Sequence, residues 1–248
     1  ITTAEGKVYE LVPASTKGAE TGTVESGQTK EVTYVYKEVK GNVVVHYTDE
    51  AGNKIAEDAK DTTDGSISTP YDTSDNGMKP ERITTPEGKV YQLVPASTKG
   101  AETGKVTEGT TEVTYVYKEV TGDVVVHYVD TEGNVIAEDK EDTKGASLNA
   151  KYDTTDNKPE KIEKDGTVYY LTEKAVKDDS KPENGDVVEG KTEVTYVYEK
   201  AGQVVVHYTD EKGNTLQADA VDTKDGKPNA DYNTADNDMK PNRITTPE

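Results

Sequence analysis

The pattern of hydrophobic and polar positions predicts short β-strands and no long amphipathic helix. Every residue of Val43–Thr48 is β-branched, aromatic or His, which is typical of a strand. Alternate residues of a strand face opposite sides, and both sides of this strand are largely apolar. The pattern therefore predicts a central strand. We expect Val44→Asp to unfold the domain that contains it.

A turn and a second strand should follow this first strand. Asp49–Asn53 has the composition of a hairpin turn, with Gly52 supplying the positive φ that such a turn requires. Lys54–Asp61 is predicted to return as a more polar strand. Residues 65–76 are rich in Ser, Thr, Pro and Asp. We interpret them as a loop with one short helical turn, which Asp72 or Thr73 could cap.

The next residues predict another hairpin and a final strand. Ile83–Thr85 and Lys89–Pro95 flank Pro-Glu-Gly, a turn sequence. Residues 99–109 are polar and are expected to form a loop. Glu112–Val120 alternates Val and Tyr with Thr, Val and Lys, the period of a strand.

These elements recur at the spacing of a small domain. Val-Val-Val-His-Tyr begins at Val43, Val124 and Val204, and Val-Thr-Tyr-Val-Tyr begins at Val32, Val113 and Val194. A period of 80 to 81 residues is longer than solenoid or propeller repeats, which run roughly 20–50 residues. The chain is therefore predicted to be a tandem array of small domains.

The order of the motifs divides the chain into four segments. A third motif, Ile-Thr-Thr-(Ala/Pro)-Glu, begins at Ile1, Ile83 and Ile244 and lies in the middle of a repeat. We predict that 1–40 is the C-terminal part of a repeat, 41–121 and 122–201 are complete repeats, and 202–248 is the N-terminal part of a repeat. The second and fourth repeats share one sequence subtype, and the third repeat has another.

The first and last strands of each repeat are the most apolar, so both should be central. If they pair, the arrangement is predicted to be parallel, with the rest of the repeat as the crossover. Parallel neighbours place the two ends of a domain at opposite poles. Only Lys118–Asp123 separates one domain from the next, without a Gly/Ser-rich or Pro-rich linker. Short connections limit motion, so we expect a stiff string.

The two partial repeats should each lack one central strand. Residues 1–40 contain a last strand, and residues 202–248 contain a first strand. If these were true chain ends, the tail of one molecule could complete the head of another. Such a heterologous contact would give head-to-tail self-association. The alternative is that both end segments are disordered, or that this sequence was cut from a longer chain.

Composition excludes several classes of function. The net charge is −20, which argues against nucleic acid and anionic membranes as partners. No apolar run has the roughly 18–20 residues of a membrane span. There is no Cys, and therefore no disulfide or thiolate metal site. No signal peptide or sorting signal is visible.

Candidate chemistry in the sequence is sparse. The sequence has three His residues, and we interpret each as a packed strand residue because no second His lies near it: His46, His127 and His207. Asp49…Asn53 and Asp72…Asp75-Asn76 could supply oxygens for Ca²⁺, but they lack EF-hand spacing. Turn chemistry explains them better, and no cofactor is predicted.

Other candidates are weighed against structural roles. The Tyr pairs of the last strands could stack on sugars but share the Val face, so they are predicted to face the core: Tyr34/Tyr36, Tyr115/Tyr117 and Tyr196/Tyr198. Sequence alone cannot locate a Lys–Asn/Asp isopeptide crosslink. No nucleophile or phosphate-loop motif is present, so we predict that the chain is not an enzyme, with no catalytic or metal residues and an unknown ligand site.

Three motifs resemble a known class of repeats. Val-Val-Val-His-Tyr-x-Asp-x-x-Gly-Asn, the run from Tyr152 to Pro159, and Thr-Glu-Val-Thr-Tyr-Val-Tyr are similar to tandem repeats of Gram-positive wall-anchored surface adhesins, of the MucBP-like and streptococcal high-identity kinds. The resemblance covers essentially the whole chain. It implies secretion, sortase attachment to peptidoglycan, a role in virulence, and a mostly β, β-grasp-like fold.

The function predicted is a stiff tandem-repeat segment of a bacterial cell-surface adhesin that projects a binding region or contributes to host attachment. The alternative is that the repeats themselves bind a host glycoprotein, such as mucin or a matrix protein like fibronectin, weakly per repeat and tightly through multivalency. The resemblance carries over no ligand-binding residue.

Overall fold

The computed structural model describes residues 1–236 and 238–245. Contacts divide the chain into two compact units, Ile1–Val120 and Thr121–Glu248. The described residues form β-strands and three short 3₁₀ helices, without an α-helix. The prediction of a mostly β fold is therefore confirmed.

The first unit contains eleven of these elements. They are β1 (Tyr9–Leu11), η1 (Pro13–Ser15), β2 (Tyr36–Glu38), β3 (Lys40–Asp49), β4 (Ala59–Ser66), β5 (Pro70–Asp72), β6 (Arg82–Thr84), β7 (Val90–Leu93), η2 (Pro95–Ser97), β8 (Thr103–Lys105) and β9 (Gly109–Glu119). Five strands form one sheet in the order β4-β3-β9-β7-β6, and β5 pairs with β8 in a small second sheet. This order places the first and last strands of the repeat side by side at the centre of the larger sheet.

The two central strands are parallel, as predicted. β3 and β9 pair through nine residues, from Gly41↔Gly109 to Asp49↔Tyr117. All the other pairings of this sheet are antiparallel. Gly41 is needed at the start of the pair, because a Cβ there would lie 1.8 Å from the carbonyl oxygen of Thr107.

The core of the first unit lies on one face of these strands. Val45, Val113, Tyr115 and Tyr117 are fully buried there, and Tyr47 is 6% exposed. The predicted Val/Tyr face is therefore the core face.

Val44 points to the opposite face of β3 and is only half-buried. The structure does not test whether Val44→Asp unfolds its domain, but Val44 is not one of the buried core residues, and a carboxylate at this position can still reach water. Val45 is fully buried, so a carboxylate at that position could not reach water.

Three predicted loop or strand boundaries are corrected. The returning strand is Ala59–Ser66 instead of Lys54–Asp61, because Ile55 and Ala56 pack against the core before the strand begins. The two polar stretches predicted as loops contain β5 and β8, which pair with each other. This pairing joins residues about 33 apart in sequence, from Tyr71 to Gly104, and neither segment has a local strand pattern.

The predicted hairpins are present, whereas the predicted capped helical turn of residues 65–76 is a hydrogen-bonded turn and not a helix in this repeat. Asp72 Oδ1 accepts a hydrogen bond from the Ser74 backbone N–H at 2.9 Å. In the third repeat the corresponding Asp153 caps a 3₁₀ helix by accepting from the Thr155 N–H. Gly52 has a φ of +90° in the first turn, and β6 pairs with β7 as the second hairpin.

The second unit repeats this plan. Its elements are β10 (Thr121–Asp130), β11 (Lys140–Ser147), β12 (Lys151–Asp153), η3 (Thr154–Asn157), β13 (Lys161–Lys164), β14 (Thr167–Val176), β15 (Asn184–Asp186), β16 (Gly190–Lys200), β17 (Gly202–Thr209) and β18 (Thr215–Gly226). The five-stranded sheet has the order β11-β10-β16-β14-β13, and β10 and β16 are parallel over nine residue pairs.

The partial repeats form smaller sheets. β1 pairs with β2, and β17 pairs with β18, both antiparallel. Among the described residues neither partial repeat has a parallel pair of first and last strands. The last three residues of the motif that begins at Ile244 lie outside the described residues.

A single residue connects each repeat to the next. Val39 lies between β2 and β3, Val120 between β9 and β10, and Ala201 between β16 and β17. The backbone N–H of each donates to a carbonyl of the preceding repeat at 2.8 Å, the acceptors being Val8, Val90 and Val168. Each of these three residues is therefore hydrogen-bonded to the repeat that precedes it.

Candidate functional site

The tyrosines of the last strands are structural in the complete repeats. The prediction that Tyr34 and Tyr36 also face the core is wrong, because they are 50% and 37% exposed in the partial repeat. Tyr115 and Tyr117 are fully buried. The Tyr117 hydroxyl donates to the Pro80 carbonyl at 2.8 Å, and the Tyr115 hydroxyl lies 2.9 Å from Thr73 Oγ1. Buried Tyr needs a partner for its hydroxyl, and these contacts supply it. These two rings are therefore unavailable for stacking on a sugar.

Burial also changes the acidity of these rings. Desolvation raises the pKa of Tyr115 and Tyr117, and it raises the pKa of Tyr196 to about 12. A tyrosine that stays protonated can keep donating its hydrogen bond. The effect stabilises the core and gives no reactive phenolate near neutral pH.

A lysine lies over the innermost ring of each complete repeat. Lys79 Nζ is 5.4 Å from the centroid of the Tyr115 ring and 2.7 Å from Glu102 Oε1. The third repeat has the same arrangement, with Lys158 5.6 Å from the Tyr196 ring centroid. The geometry is that of a cation–π contact held by an ion pair. This network joins loop residues to the last strand.

The three histidines lie against carboxylates on the outer face of their sheets. Nδ1 of His46 is 3.1 Å from Asp58, Nδ1 of His127 is 2.7 Å from Asp139, and Nδ1 of His207 is 2.8 Å from Asp219. In the two complete repeats a Glu of the last strand lies near Nε2, at 3.8 and 3.6 Å. The interpretation as a simply packed residue is incomplete, because the ring links the second-strand side of the sheet to the last strand.

The acidic turns use their carboxylates internally. Asp49 Oδ1 accepts from the Asn53 backbone N–H and Oδ2 from the Asn53 side chain, each at 2.8 Å. These hydrogen bonds, led by that from the Asn53 side chain, hold the pKa of Asp49 below its usual value. The same Asp–Asn turn recurs at Asp130 and Asp210. Turn chemistry accounts for these residues.

No metal centre is assembled in the part of the chain that the structure describes. Within residues 1–236 and 238–245, no three His, Asp or Glu side chains are arranged to hold an ion. None of the helices in the same residues has the length and hydrophobicity of a membrane span.

A surface cleft of about 620 Å³ lies in the second repeat. One wall is the connection between β3 and β4, and the other is the β6–β7 hairpin. Its lining includes Asn53, Ile55, Ala56, Ile83, Thr85 and Tyr91. Sequence reasoning missed this site because its two walls are distant in sequence and neither carries a motif.

The third repeat differs at the same place. Lys164, in the position of Thr85, donates from Nζ to the Val135 carbonyl at 2.6 Å and so bridges the two walls. Ile136, in the position of Ile55, is 3% exposed, whereas Ile55 is half-buried. The two sequence subtypes therefore differ in how open this cleft is.

Comparison with protein families gives four matches along the chain. The MucBP domain model matches residues 1–37, 42–118, 123–199 and 203–243. These matches together cover most of the sequence, and each follows the motif spacing described above.

Two characterised proteins are similar over part of the chain. Muramidase-released protein of Streptococcus suis is 44% identical over 140 residues, which is 48% of this chain and 11% of that protein. Internalin J of Listeria monocytogenes serotype 4b (strain F2365) is 31% identical over 188 residues, 72% of this chain and 17% of that protein. The chain thus spans less than a fifth of either relative.

Solved structures give weaker likenesses. Streptococcal High Identity Repeats in Tandem (SHIRT) domains 3-4 from a cell surface protein match with a TM-score of 0.30 and 10% identity, over 64% of this chain and 97% of that one. Mub-RV matches with a TM-score of 0.23 and 14% identity, over 65% and 99% respectively.

Proposed function

The chain belongs to the MucBP domain family, and from this premise we propose that it is a stiff tandem-repeat segment of a bacterial cell-surface adhesin. The segment would project a binding region from the wall of a Gram-positive bacterium and contribute to host attachment. Similarity to proteins of Streptococcus and Listeria supports this location. A repeat domain family gives no reason to assign catalysis.

The observation that carries the proposal is the parallel pairing of β3 with β9. Because the paired strands run the same way, a pull on the two ends of the repeat slides one strand past the other. All the backbone hydrogen bonds between the nine paired residues then resist the pulling force together. This is the arrangement expected of a segment that transmits force between a cell and its attachment point.

The proposal includes a division into domains. We propose that 41–121 and 122–201 fold as separate domains, and that 1–40 and 202–248 are parts of neighbouring repeats. One-residue connections with bonded N–H groups support little freedom between successive repeats. A stiff array suits a stalk better than a flexible tether.

Single-molecule force spectroscopy tests the load-bearing role. The chain has no Cys, so pairs of introduced cysteines give unique attachment points. Lys40→Cys with Lys118→Cys pulls opposite ends of β3 and β9, whereas Lys40→Cys with Glu108→Cys pulls their adjacent ends. All three positions are exposed. We expect a clearly higher rupture force for the first pair, and equal forces would overturn the proposal.

A second candidate function is direct binding of a host glycoprotein by the repeats, mucin or a matrix protein such as fibronectin. The open cleft of the second repeat favours it. Weak contacts in several repeats would add through multivalency. Retention of the full chain on immobilised mucin and fibronectin, with serum albumin as a control surface, tests this candidate.

We also propose that, in a molecule that consists of residues 1–248 alone, the strands of the partial repeats can pair with each other in trans. Val32, Tyr34 and Tyr36 are 39%, 50% and 37% exposed, in contrast to their buried counterparts in complete repeats. A first strand such as β17 would cover this face. Concentration-dependent association of 1–248 would support the pairing, and a monomer at high concentration would contradict it.

A further inference from the structure

We propose that Asn76 is a site of spontaneous deamidation, and that its isoaspartyl product loosens the second repeat. Asn-Gly dipeptides occur at Asn76-Gly77 and at Asn184-Gly185. Asn is a chemically labile residue, and a following Gly favours the reaction because it has no Cβ to shield its backbone nitrogen. The two dipeptides have the same local chemistry, so the fold decides which of them reacts. This chemistry is independent of what the repeats attach to.

The first dipeptide forms the centre of an exposed turn. Asn76 and Gly77 are both exposed, with φ of +50° and +75°, and the Met78 N–H donates to the Asp75 carbonyl across them at 2.9 Å. Positive φ at both central residues is typical of a type I′ turn. Among the described residues the Asn76 amide donates only to Asp75 Oδ1, at 2.6 Å, and the Gly77 N–H has no acceptor. The reacting groups are therefore held by the turn alone.

The second dipeptide is fixed in a strand. Asn184 and Gly185 lie in β15 and pair with Asp153 and Tyr152 of β12. The Tyr152 ring covers Gly185 so closely that a Cβ there would lie 3.2 Å from it. Cyclisation requires the Gly nitrogen to approach the Asn side chain. A backbone that is held extended by a neighbouring strand makes this approach only after the strands open, so we expect Asn184 to be protected.

The reaction needs only water in addition to the protein. The Gly77 nitrogen gives its proton to a solvent base and attacks Cγ of Asn76, which forms a cyclic imide. The Cγ–Nδ2 bond breaks, and the amide nitrogen takes up a proton from solvent and leaves as ammonia. Water then opens the imide at one of its two carbonyls. Opening at Cγ gives ordinary aspartate, whereas opening at the main-chain carbonyl gives isoaspartate, in which the chain runs through the side chain.

The third and fourth repeats lack this dipeptide at the corresponding turn. The third repeat lacks the Gly-Met pair, so that Lys158 follows Asn157 directly, and the Asn157 amide donates to Asp142 of β11 at 3.0 Å. The fourth repeat has Asp238 where the second has Gly77. A side chain after the Asn hinders attack by the following nitrogen. Of these three repeats, the second therefore has the reactive turn.

The turn leads directly into the residues that anchor the core tyrosines. The Met78 carbonyl accepts from the Tyr47 hydroxyl at 2.8 Å, and the Pro80 carbonyl accepts from the Tyr117 hydroxyl at the same distance. Isoaspartate adds one methylene group to the main chain and so redirects the residues that follow the turn. Loss of one anchoring hydrogen bond corresponds to a decrease in melting temperature of about 4–8 °C for a domain this small. We expect an aged second repeat to be less stable than a new one.

The test follows the full chain during incubation at neutral and mildly alkaline pH. Mass spectrometry of proteolytic peptides measures conversion at each Asn, and protein isoaspartyl methyltransferase labels the isoaspartate. We expect Asn76 to convert at least about tenfold faster than Asn184, because only Asn184 is protected by strand pairing. Unfolding the chain in guanidinium should remove most of this difference, since both dipeptides are then equally free to cyclise.

Two variants connect the modification with stability. Asn76→Gln keeps an amide but needs a larger ring to cyclise, and Gly77→Ala places a side chain beside the attacking nitrogen. A Cβ at Gly77 meets nothing within 4 Å, although the positive φ strains Ala there. Each variant is therefore compared with its own fresh sample. Hydrogen exchange of residues 113–117 should become several-fold faster in the aged unmodified chain and should stay unchanged in both aged variants.

The outcomes that would overturn the inference are distinct. No conversion of Asn76, or equal rates for Asn76 and Asn184 in the folded chain, would overturn the assignment of the site. A difference that persists in guanidinium would show that flanking residues and not the fold select Asn76. Conversion of Asn76 without faster exchange of residues 113–117 would overturn the link between the turn and the core.

Discussion

The same pentapeptide, Val-Thr-Tyr-Val-Tyr, has opposite environments in two regions of the chain. In the copy at Val113–Tyr117 the side chains of Val113, Tyr115 and Tyr117 are fully buried. In Val32–Tyr36 the corresponding side chains are 39%, 50% and 37% exposed. The local sequence is identical, so its hydrophobic pattern alone does not decide burial.

The two regions differ in their neighbour. Val113–Tyr117 lies parallel to β3, whose Val45 and Tyr47 pack against it. Val32–Tyr36 has no parallel partner among the described residues. The comparison indicates that the core of a repeat is made by the meeting of its first and last strands, about 70 residues apart in sequence.

The largest effect should come from a charge at Val45. Val45→Asp places an unpaired carboxylate in a fully buried site, at a cost of several kcal/mol, comparable to the whole stability of a small domain. The second repeat should unfold and its Tyr115 and Tyr117 should become exposed like Tyr34. Hydrogen exchange resolved by peptide measures this in the full chain.

Val44→Asp is the matched control, since Val44 lies on the outer face of the same strand. It should destabilise the repeat much less. Equal loss from both substitutions would mean that the outer face of the sheet is also a core. Simultaneous loss of the third repeat would mean that the repeats share one cooperative unit.

Alkaline pH should lower the free energy of unfolding of the complete repeats. Folding raises the pKa of Tyr196 to about 12, whereas a tyrosine in an unfolded chain ionises near 10. Between these values the unfolded chain binds fewer protons, so the free energy of unfolding falls as pH rises. The slope is roughly 1.4 kcal/mol per pH unit for each such tyrosine, and stability is retained below pH 10.

This slope can be measured by guanidinium unfolding at several pH values between 9 and 12. The unfolding is monitored through a signal from the third repeat. Tyr196→Phe removes one ionising group and should flatten the curve. A stability that does not change over this range would contradict the buried position of the ring.

A smaller effect should follow from removing single hydroxyls. Tyr117→Phe deletes the hydrogen bond to the Pro80 carbonyl, which should cost about 1 kcal/mol. Tyr36→Phe alters the corresponding ring in the partial repeat, where it is 37% exposed, and should cost close to nothing. If denaturant titrations showed a similar loss in the free energy of unfolding for both variants, the distinction between the two regions would be contradicted.

The smallest effect should come from metal removal. Both carboxylate oxygens of Asp49 already accept hydrogen bonds from Asn53, so the turn does not need a cation. EDTA should leave the melting temperature unchanged. A decrease of about 5 °C or more would correspond to roughly 1 kcal/mol for a domain this small and would reveal a structural ion.

Residue patterns predict the strands that carry strong local signals. The first and last strands, the Gly52 turn and the β6–β7 hairpin all follow from alternation and turn residues. The shift of β4 and the pairing of β5 with β8 do not, because Ile55 and Tyr71 find their neighbours only after the chain has folded. The cleft escapes prediction for the same reason, since Ile55 and Ile83 meet across two separate connections.

Hydrogen exchange of the two identical pentapeptides in one sample is the most direct test of the parallel-pair core. We predict slow exchange of the amides of residues 113–117 and fast exchange of those of residues 32–36, because only the former are paired with a first strand. Because the two sequences are identical, corresponding amides of the two segments have equal intrinsic exchange rates. Any difference in their measured exchange therefore reports a difference in structure. Equal protection of both segments would contradict the account.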